Sequence, residues 1–248
     1  MTGNDKLSIL GFKVFSGSKD FFSNGVKGVI NTINPHSYII SRKDDLFKEA
    51  LLHSDFLIPD GVGIKYASRL ITGKRIEKIA GADLHWLILN SLNERKGSCF
   101  YLGSTENTLD KINERLKCDF PEIRAEYYSP PFKTDFSEEE NASIIKAIER
   151  FSPDVLFVGM TAPKQEKWVH ANRAKLNVPL ICSIGAAFDF YAGTVKRSGR
   201  IWINLGLEWL PRFARDPQRL WKRNLVSTPL FLWYVLLEKL RLLGNSKF

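Results

Sequence analysis

Short apolar runs alternate with amphipathic segments along most of this chain, and that alternation restricts its fold more than any other feature. The clearest run, residues 154–159, is apolar beyond its first residue, which is typical of a central strand in a parallel sheet. Further strands are predicted at residues 26–32, 55–58, 98–102, 123–127 and 178–184. Between them, apolar residues recur at helical spacing. We therefore expect an α/β fold with a Rossmann-like, doubly wound, mostly parallel sheet.

Asp60 lies where one of these strands should give way to a helix. Gly61 and Gly63 allow a tight turn after it, and apolar residues then recur at helical spacing up to Leu70. In an open α/β sheet, ligands bind beyond the carboxyl ends of the strands, so an acid at this corner is expected to face a pocket. The alternative is that Asp60 is only the N-cap of the following helix.

Polar residues follow two other predicted strands. Thr32 and Asn34 end the strand at 26–32 and can form one wall of a pocket, although Asn34 followed by Pro35 is also ordinary turn chemistry. After the strand at 154–159, Pro163 suits the first turn of a helix and places Gln165 near its positive end. Gln165 can donate and accept hydrogen bonds, as recognition of a sugar or nucleobase requires, or it is simply solvated there.

Three more loops carry candidate binding residues. Gly103 stands between a strand and a helix, where backbone N–H groups can meet a phosphate, but neither a dinucleotide-binding fingerprint nor a P-loop occurs. Residues 185–193 follow the last predicted strand, and their small residues let a ligand approach the backbone, so we expect a second pocket wall there. Asp83 opens a helix and is a candidate cap.

Nearly all of the positive charge lies in the last fifth of the chain. Residues 196–248 hold 11 Lys or Arg against 3 Asp or Glu, whereas the whole chain has a net charge of +9. Basic residues from Arg212 to Arg223 recur three or four positions apart, and Leu230, Trp233, Leu237 and Leu240 form an apolar stripe beyond them. This pattern predicts a helix that lies on an anionic membrane surface, each basic residue contributing about 1 kcal/mol.

The same pattern leaves two alternatives open. The stripe can pack on the body of the protein with its charges solvated, and a basic patch can bind nucleic acid, although spaced stacking aromatic residues are lacking. For the chain as a whole we predict an α/β core at residues 1–195 and a basic helical appendage at residues 196–248. A membrane surface ranks above nucleic acid as the partner of the appendage, so we expect no nucleic-acid partner. A homo-oligomer is compatible with the sequence.

Several classes of protein are disfavoured. The three cysteines form no CxxC pair, residues 1–20 lack the pattern of a secretory signal, and no run reaches the roughly 18 apolar residues that span a bilayer. The chain has no DxD motif and only four scattered histidines, so we expect neither a metal ion nor another cofactor. These features predict a cytoplasmic protein bound peripherally to the inner face of the membrane.

Six blocks of sequence, in order, resemble the WecG/TagA/CpsF family of bacterial glycosyltransferases over about residues 8–225. They are TINP (32–35), PDGVGIKYASRL (59–70), AGADL (80–84), FVGMTAPKQEKW (157–168), GAAFDFYAGTVKR (185–197) and GLEWLPRFARDPQRLWKR (206–223). The resemblance implies transfer of a sugar, commonly of the N-acetylmannosamine type, from a UDP-sugar to a polyprenyl-diphosphate-linked acceptor. Such reactions build teichoic acid linkages, enterobacterial common antigen or capsule.

The resemblance also implies roles for individual residues. Asp60 matches the catalytic base, and the tail presents Arg212, Arg219 and Lys222 to close the site over the diphosphate. Lys78 and Lys222 stand where the family usually has Arg, so both keep the charge and lose the bidentate fork. With the loop residues above, the expected substrate-binding set is Thr32, Asn34, Lys78, Asp83, Gly103, Gln165, Gly185, Asp189, Arg212, Arg219 and Lys222.

An inverting transfer follows from these expectations. Asp60 would accept the proton of the acceptor hydroxyl as it attacks the anomeric carbon, while basic side chains and helix N-termini stabilise the departing UDP. Two other activities stay open: transfer of a different hexose, such as glucose or galactose, from its UDP-sugar, and non-catalytic binding of a nucleotide sugar at the membrane.

Overall fold

The computed structural model describes residues 5–245 and contains one eight-stranded sheet. The strands lie in the order β1-β2-β4-β3-β8-β7-β5-β6, and every neighbouring pair is parallel except the antiparallel β1–β2 hairpin. Their bounds are β1 (Lys6–Ile9), β2 (Phe12–Phe15), β3 (Gly28–Ile33), β4 (Phe56–Pro59), β5 (Ser98–Gly103), β6 (Arg124–Tyr128), β7 (Val155–Gly159) and β8 (Leu180–Ser183). The doubly wound, mostly parallel sheet is confirmed. The hairpin is an addition that the sequence analysis did not predict.

Helices connect the strands and cover both faces of the sheet. The first eight are α1 (Pro35–Ser41), α2 (Asp45–Leu52), α3 (Val62–Thr72), α4 (Gly81–Glu94), α5 (Glu106–Asp119), α6 (Glu138–Phe151), α7 (Lys164–Asn172) and α8 (Ala187–Tyr191). The C-terminal part adds α9 (Arg200–Asn204), α10 (Trp209–Arg215), α11 (Pro217–Trp221), a π-helical segment (Lys222–Ser227) and α12 (Thr228–Asn245). Within residues 5–245, no helix is long and apolar enough to cross a membrane.

The central strand β7 shows why helices lie on both faces. Successive side chains of a strand point to opposite faces. Accordingly, Val155 and Phe157 pack into the hydrophobic cluster that α4 and α5 share, whereas Leu156 and Val158 pack into the cluster of α6 and α7. All four are fully buried. A strand with two buried faces needs apolar residues at every position, which explains its uninterrupted pattern.

The final helix α12 packs on the body along one flank. Phe231 and Val235 are buried in a cluster with Ile64 and Ala67 of α3 and with Tyr38 of α1. Three of the four predicted stripe residues are exposed (Trp233, Leu237 and Leu240), and Leu230 is packed against the body. One flank of the helix therefore packs on the body, and the membrane-surface interpretation of the exposed flank stays a prediction. The domain boundary after residue 195 stays a prediction.

Candidate active site

Asp60 stands at the corner between β4 and α3. Its backbone N–H donates to the carbonyl of Ile33 at 2.9 Å, so the pairing of β3 with β4 extends one residue beyond the strand. Gly61 follows with a φ of 103°, a value that favours glycine, and it occupies the N-cap position of α3. The Asp60 carboxylate is therefore not the helix cap. It faces a pocket, as the sequence analysis expected.

The pocket has a volume of about 320 Å³ and lies at the carboxyl edge of the parallel strands. One wall is the corner after β3 (34–36), a second is the corner after β4 with the first turns of α3 (60–63 and Tyr66), and Lys78 adds to these. The third wall comes from the C-terminal part: Gly206, Glu208, Trp209, Arg212, Leu220, Arg223, Asn224, Thr228 and Leu232. The basic tail thus forms part of the site itself.

The charged groups around Asp60 act on it in opposite directions. Burial raises the pKa of Asp60 above its ordinary value, and the negative charge of Glu208 adds to this effect. The positive charges of Arg223, Lys78 and Arg212 lower the pKa. Arg223 has the largest effect of the three and Arg212 the smallest, and each effect is smaller than that of burial. An aspartate with a raised pKa is a better proton acceptor than an exposed one, which suits a general base.

An ion-pair chain joins Asp83 to the pocket through Arg197. The guanidinium of Arg197 donates to both carboxylate oxygens of Asp83, at 2.6 and 3.0 Å, and its Nε lies 3.6 Å from Glu208 Oε1. Glu208 Oε2 in turn lies 2.6 Å from Lys78 Nζ. Asp83 is therefore linked to the pocket without lining it, and Ala80 occupies the N-cap of α4 in its place.

Asn34 lines the pocket and also caps α1. Its Oδ1 accepts the backbone N–H groups of His36 and Ser37, both at 3.0 Å, and Ser37 Oγ accepts the N–H of Asn34 at 2.8 Å. Asn34 is thus both a turn residue and part of the pocket wall, because the cap uses its side-chain oxygen and not its amide nitrogen, and its role in binding stays a prediction. Thr32 lies on β3 in register with Ile58 and is not part of the pocket wall.

Four other predicted residues lie along the same sheet edge, outside this pocket. Gln165 is buried and donates from Nε2 to Glu166 Oε1 at 2.9 Å, and a Cβ on Gly185 would lie 3.4 Å from Gln165 Oε1. Gly103 has a φ of 113°, and a Cβ there would lie 2.7 Å from the carbonyl group of Gly159, so its role in the fold is close backbone packing. Asp189 accepts a 3.4 Å hydrogen bond from Thr194. Their roles in binding stay predictions.

The tail cations that the family resemblance implies lie in different surroundings, and their binding roles stay predictions. Arg212 lines the pocket, with its guanidinium 5.1 Å from the ring of Phe190 in the predicted second wall. Lys222 is not part of the wall and its ammonium lies 5.7 Å from the ring of Trp221, whereas Arg223 does line the pocket. Arg219 is on α11, but its side chain lies outside the described part of the structure.

Arg223, Asn224 and Glu208 are site residues that the sequence analysis did not assign. Arg223 and Asn224 lie in the π-helical segment, which adds a residue to the turn and so changes which side chains share a face. Ser227, at the end of this segment, has its Oγ 2.8 Å from His36 Nδ1, which ties the segment to the first wall. The spacing of the basic residues does not predict which of them line the pocket, because that prediction assumes an α-helical period throughout the tail.

Among residues 5–245, no three His, Cys, Asp or Glu side chains come close enough together to hold a metal ion.

Comparison with known proteins gives one family. The model of the glycosyl transferase WecG/TagA/CpsF family matches residues 13–245. The chain is 31% identical over 221 residues to a Bacillus subtilis (strain 168) protein, covering 89% of this chain and 84% of that one. It is also 31% identical over 207 residues to one from Bacillus spizizenii (84% and 78%) and 26% identical over 221 residues to one from Staphylococcus aureus strain MW2 (88% and 84%). All three are named N-acetylglucosaminyldiphosphoundecaprenol N-acetyl-beta-D-mannosaminyltransferase.

Proposed function

The chain belongs to the WecG/TagA/CpsF family of glycosyltransferases, and on that premise we propose that it transfers N-acetylmannosamine from UDP to the N-acetylglucosamine of a polyprenyl-diphosphate-linked acceptor. The names of the relatives support the acceptor and the sugar. The observation that carries the proposal is the position of Asp60, which faces a pocket together with Lys78, Arg212 and Arg223. A proton acceptor beside several cations is what displacement of a diphosphate requires.

The reaction follows from this arrangement. Asp60 accepts the proton of the acceptor hydroxyl as the hydroxyl oxygen forms a bond to the anomeric carbon of the donor. The bond from that carbon to the β-phosphate oxygen breaks on the opposite face, and UDP leaves with the electron pair, so the configuration inverts. Arg212, Arg223 and Lys78 neutralise the departing diphosphate. Side chains supply the positive charge in this scheme, and it calls for no metal ion.

Peripheral attachment to the cytoplasmic face of the membrane completes the proposal. The acceptor is a lipid, and the tail that closes the pocket is strongly basic. The same tail exposes Trp233, Leu237 and Leu240 on the outer flank of α12. Basic residues attract anionic headgroups while such apolar side chains enter the acyl boundary.

A donor panel tests the proposed activity. The full-length protein is incubated with an acceptor of N-acetylglucosamine on a lipid diphosphate and, in turn, with the UDP derivatives of N-acetylmannosamine, N-acetylglucosamine, glucose and galactose. We expect UDP-N-acetylmannosamine to give the highest kcat/KM, measured as released UDP and as the mass of the lipid product. Preference for UDP-glucose or UDP-galactose would contradict the assigned sugar, and donor binding without transfer would favour the non-catalytic alternative.

The pH dependence of transfer is expected to report the raised pKa of Asp60. The base works when ionised, so kcat/KM should fall as the pH decreases through a value above the ordinary aspartate pKa of 3.8. Glu208→Gln removes a negative charge that raises this pKa, and it should move the acid limb to lower pH. Lys78→Gln removes a positive charge and should move the limb to higher pH.

The control for these profiles is Glu122→Gln, because Glu122 pairs with Lys96 on the surface at 3.0 Å and does not line the pocket. Its acid limb should coincide with that of the unmodified protein. Identical limbs in all variants would show that the group titrating in the profile is not Asp60.

A further inference from the structure

The pocket is chemically divided into a charged part and an apolar part. Asp60, Lys78, Arg212 and Arg223 belong to the charged part, but Tyr66 and Leu232 line the same cavity and are 62% and 49% exposed. A sugar and a diphosphate do not by themselves cover large apolar side chains at the mouth of a pocket. An elongated ligand with a charged head and a hydrocarbon tail can cover them.

The apolar part continues outward along α3. Val62, Tyr66 and Leu70 are spaced four residues apart, so they lie on one face of this helix. The face begins beside Asp60 and extends for about 12 Å at 1.5 Å per residue. Val62 and Tyr66 line the pocket, and Leu70, beyond it, is 47% exposed. A row of apolar side chains thus leaves the pocket along the surface.

A second row leaves the pocket along α12. Leu232 and Leu236 are also four residues apart and are 49% and 44% exposed. The orientation of α12 is fixed because Phe231 and Val235 are buried against α1 and α3. The exposed row starts at Leu232, which shares the pocket with Tyr66, so the two rows begin at one mouth on neighbouring helices.

We propose that these two rows bind the first isoprene units of the acceptor's polyprenyl chain. The proposal rests on the proposed function. With the acceptor hydroxyl at Asp60 and the donor diphosphate held by Arg212 and Arg223, the prenyl end of the acceptor extends to the mouth of the pocket, where Tyr66 and Leu232 meet it. The chain then lies against Leu70 and Leu236. The rows set a preference for a prenyl tail over a short alkyl tail, through the apolar area that the tail covers.

Two other occupants could cover such a surface. Lys65 and Arg69 are exposed beside the α3 row, so anionic headgroups of a bilayer could lie there. A second copy of the chain could also bury both rows. The prenyl tail is favoured because the rows start inside the pocket, next to the reacting groups, where neither a bilayer nor a folded chain can enter 320 Å³.

The test compares two water-soluble acceptors that carry N-acetylglucosamine on a diphosphate, one with an ethyl group and one with two isoprene units. The double variant Leu70→Ser, Leu236→Ser alters both rows outside the pocket wall. We expect the unmodified protein to prefer the prenyl acceptor, and the ratio of kcat/KM for prenyl over ethyl to fall about tenfold in the variant, chiefly through KM. The control Leu46→Ser changes a leucine of α2 that is 69% exposed, and it should keep the ratio.

Both acceptors dissolve as monomers, so a bilayer takes no part in the assay. The proposal is overturned if the unmodified protein shows no prenyl preference or if the double variant keeps it. If the variant keeps that preference but loses binding to phosphatidylglycerol vesicles, a bilayer is the occupant of the rows. If it keeps the preference but sediments as a smaller species, a second copy of the chain is the occupant. Calorimetric binding of the two acceptors without donor measures the same ratio, so absence of transfer would contradict the proposed function separately.

Discussion

Asp60→Asn is expected to lower kcat by about 10²- to 10⁴-fold, which is the contribution that a positioned general base makes. The amide has nearly the shape of the carboxylate but cannot accept the proton of the acceptor hydroxyl. Donor binding should change little, because the groups assigned to the diphosphate are the cations and not Asp60. The measurements are single-turnover transfer and calorimetric binding of the UDP-sugar.

Asp44→Asn is the matched control. Asp44 forms a surface ion pair with Lys167 at 2.9 Å and caps α2 by accepting the N–H of Phe47. Asn caps helices as well as Asp, so this variant should fold and transfer sugar normally. Transfer by Asp60→Asn within a few-fold of the unmodified protein would remove Asp60 as the base, and loss of donor binding in parallel would show that it holds the donor instead.

The sheet could be predicted because its strands have local signals. Strands with two buried faces are apolar at each position, and the helices between them begin at residues that cap them, such as Ser137 in its capping box with Glu140. The β1–β2 hairpin was missed because both strands are only four residues long and mix polar with apolar residues: Ser8 and Lys13 fall between apolar ones. A few alternations are a weak signal in a polar stretch.

A residue of the candidate site could be predicted only where the sequence features that mark it all lie in one segment. Asp60 sits at a strand end next to glycines, and its position follows from parallel-sheet geometry. Asp83 looked like a helix cap, but its partner Arg197 lies 114 residues away in sequence, and no local pattern reveals such a pairing. Glu208 belongs to the same ion-pair chain and was missed for the same reason.

The tail shows why an amphipathic stripe leaves competing interpretations open. An amphipathic stripe records that one side of a helix is apolar, but it does not say what covers that side. In α12 the flank of Phe231 and Val235 is covered by the body, whereas the flank of Leu232 and Leu236 is open. The flank that packs on the body fixes how the open flank meets the pocket. The proposed membrane attachment and the contribution of α12 to the pocket wall thus depend on one set of packing contacts.

Arg223→Gln is expected to lower kcat by about 10²- to 10³-fold, the usual loss when one stabilising group for a developing negative charge is removed. Lys222→Gln should stay within about twofold, because the ammonium of Lys222 lies beside Trp221 and outside the pocket wall. Arg223→Lys should lose part of the activity, since the charge is kept and the bidentate fork is not. All rates are measured with saturating donor and acceptor.

The pH of this comparison matters because Arg223 also lowers the pKa of Asp60. Without Arg223, the base is protonated up to a higher pH, so the rates must be compared on the alkaline plateau of each profile. A loss that disappears there would mean that Arg223 only keeps Asp60 ionised. A loss that persists assigns the arginine to the departing diphosphate. A larger loss of kcat in Lys222→Gln than in Arg223→Gln would mean that the π-helical segment rotates when substrates bind. Lys222, which the family resemblance places at the diphosphate, would then reach it.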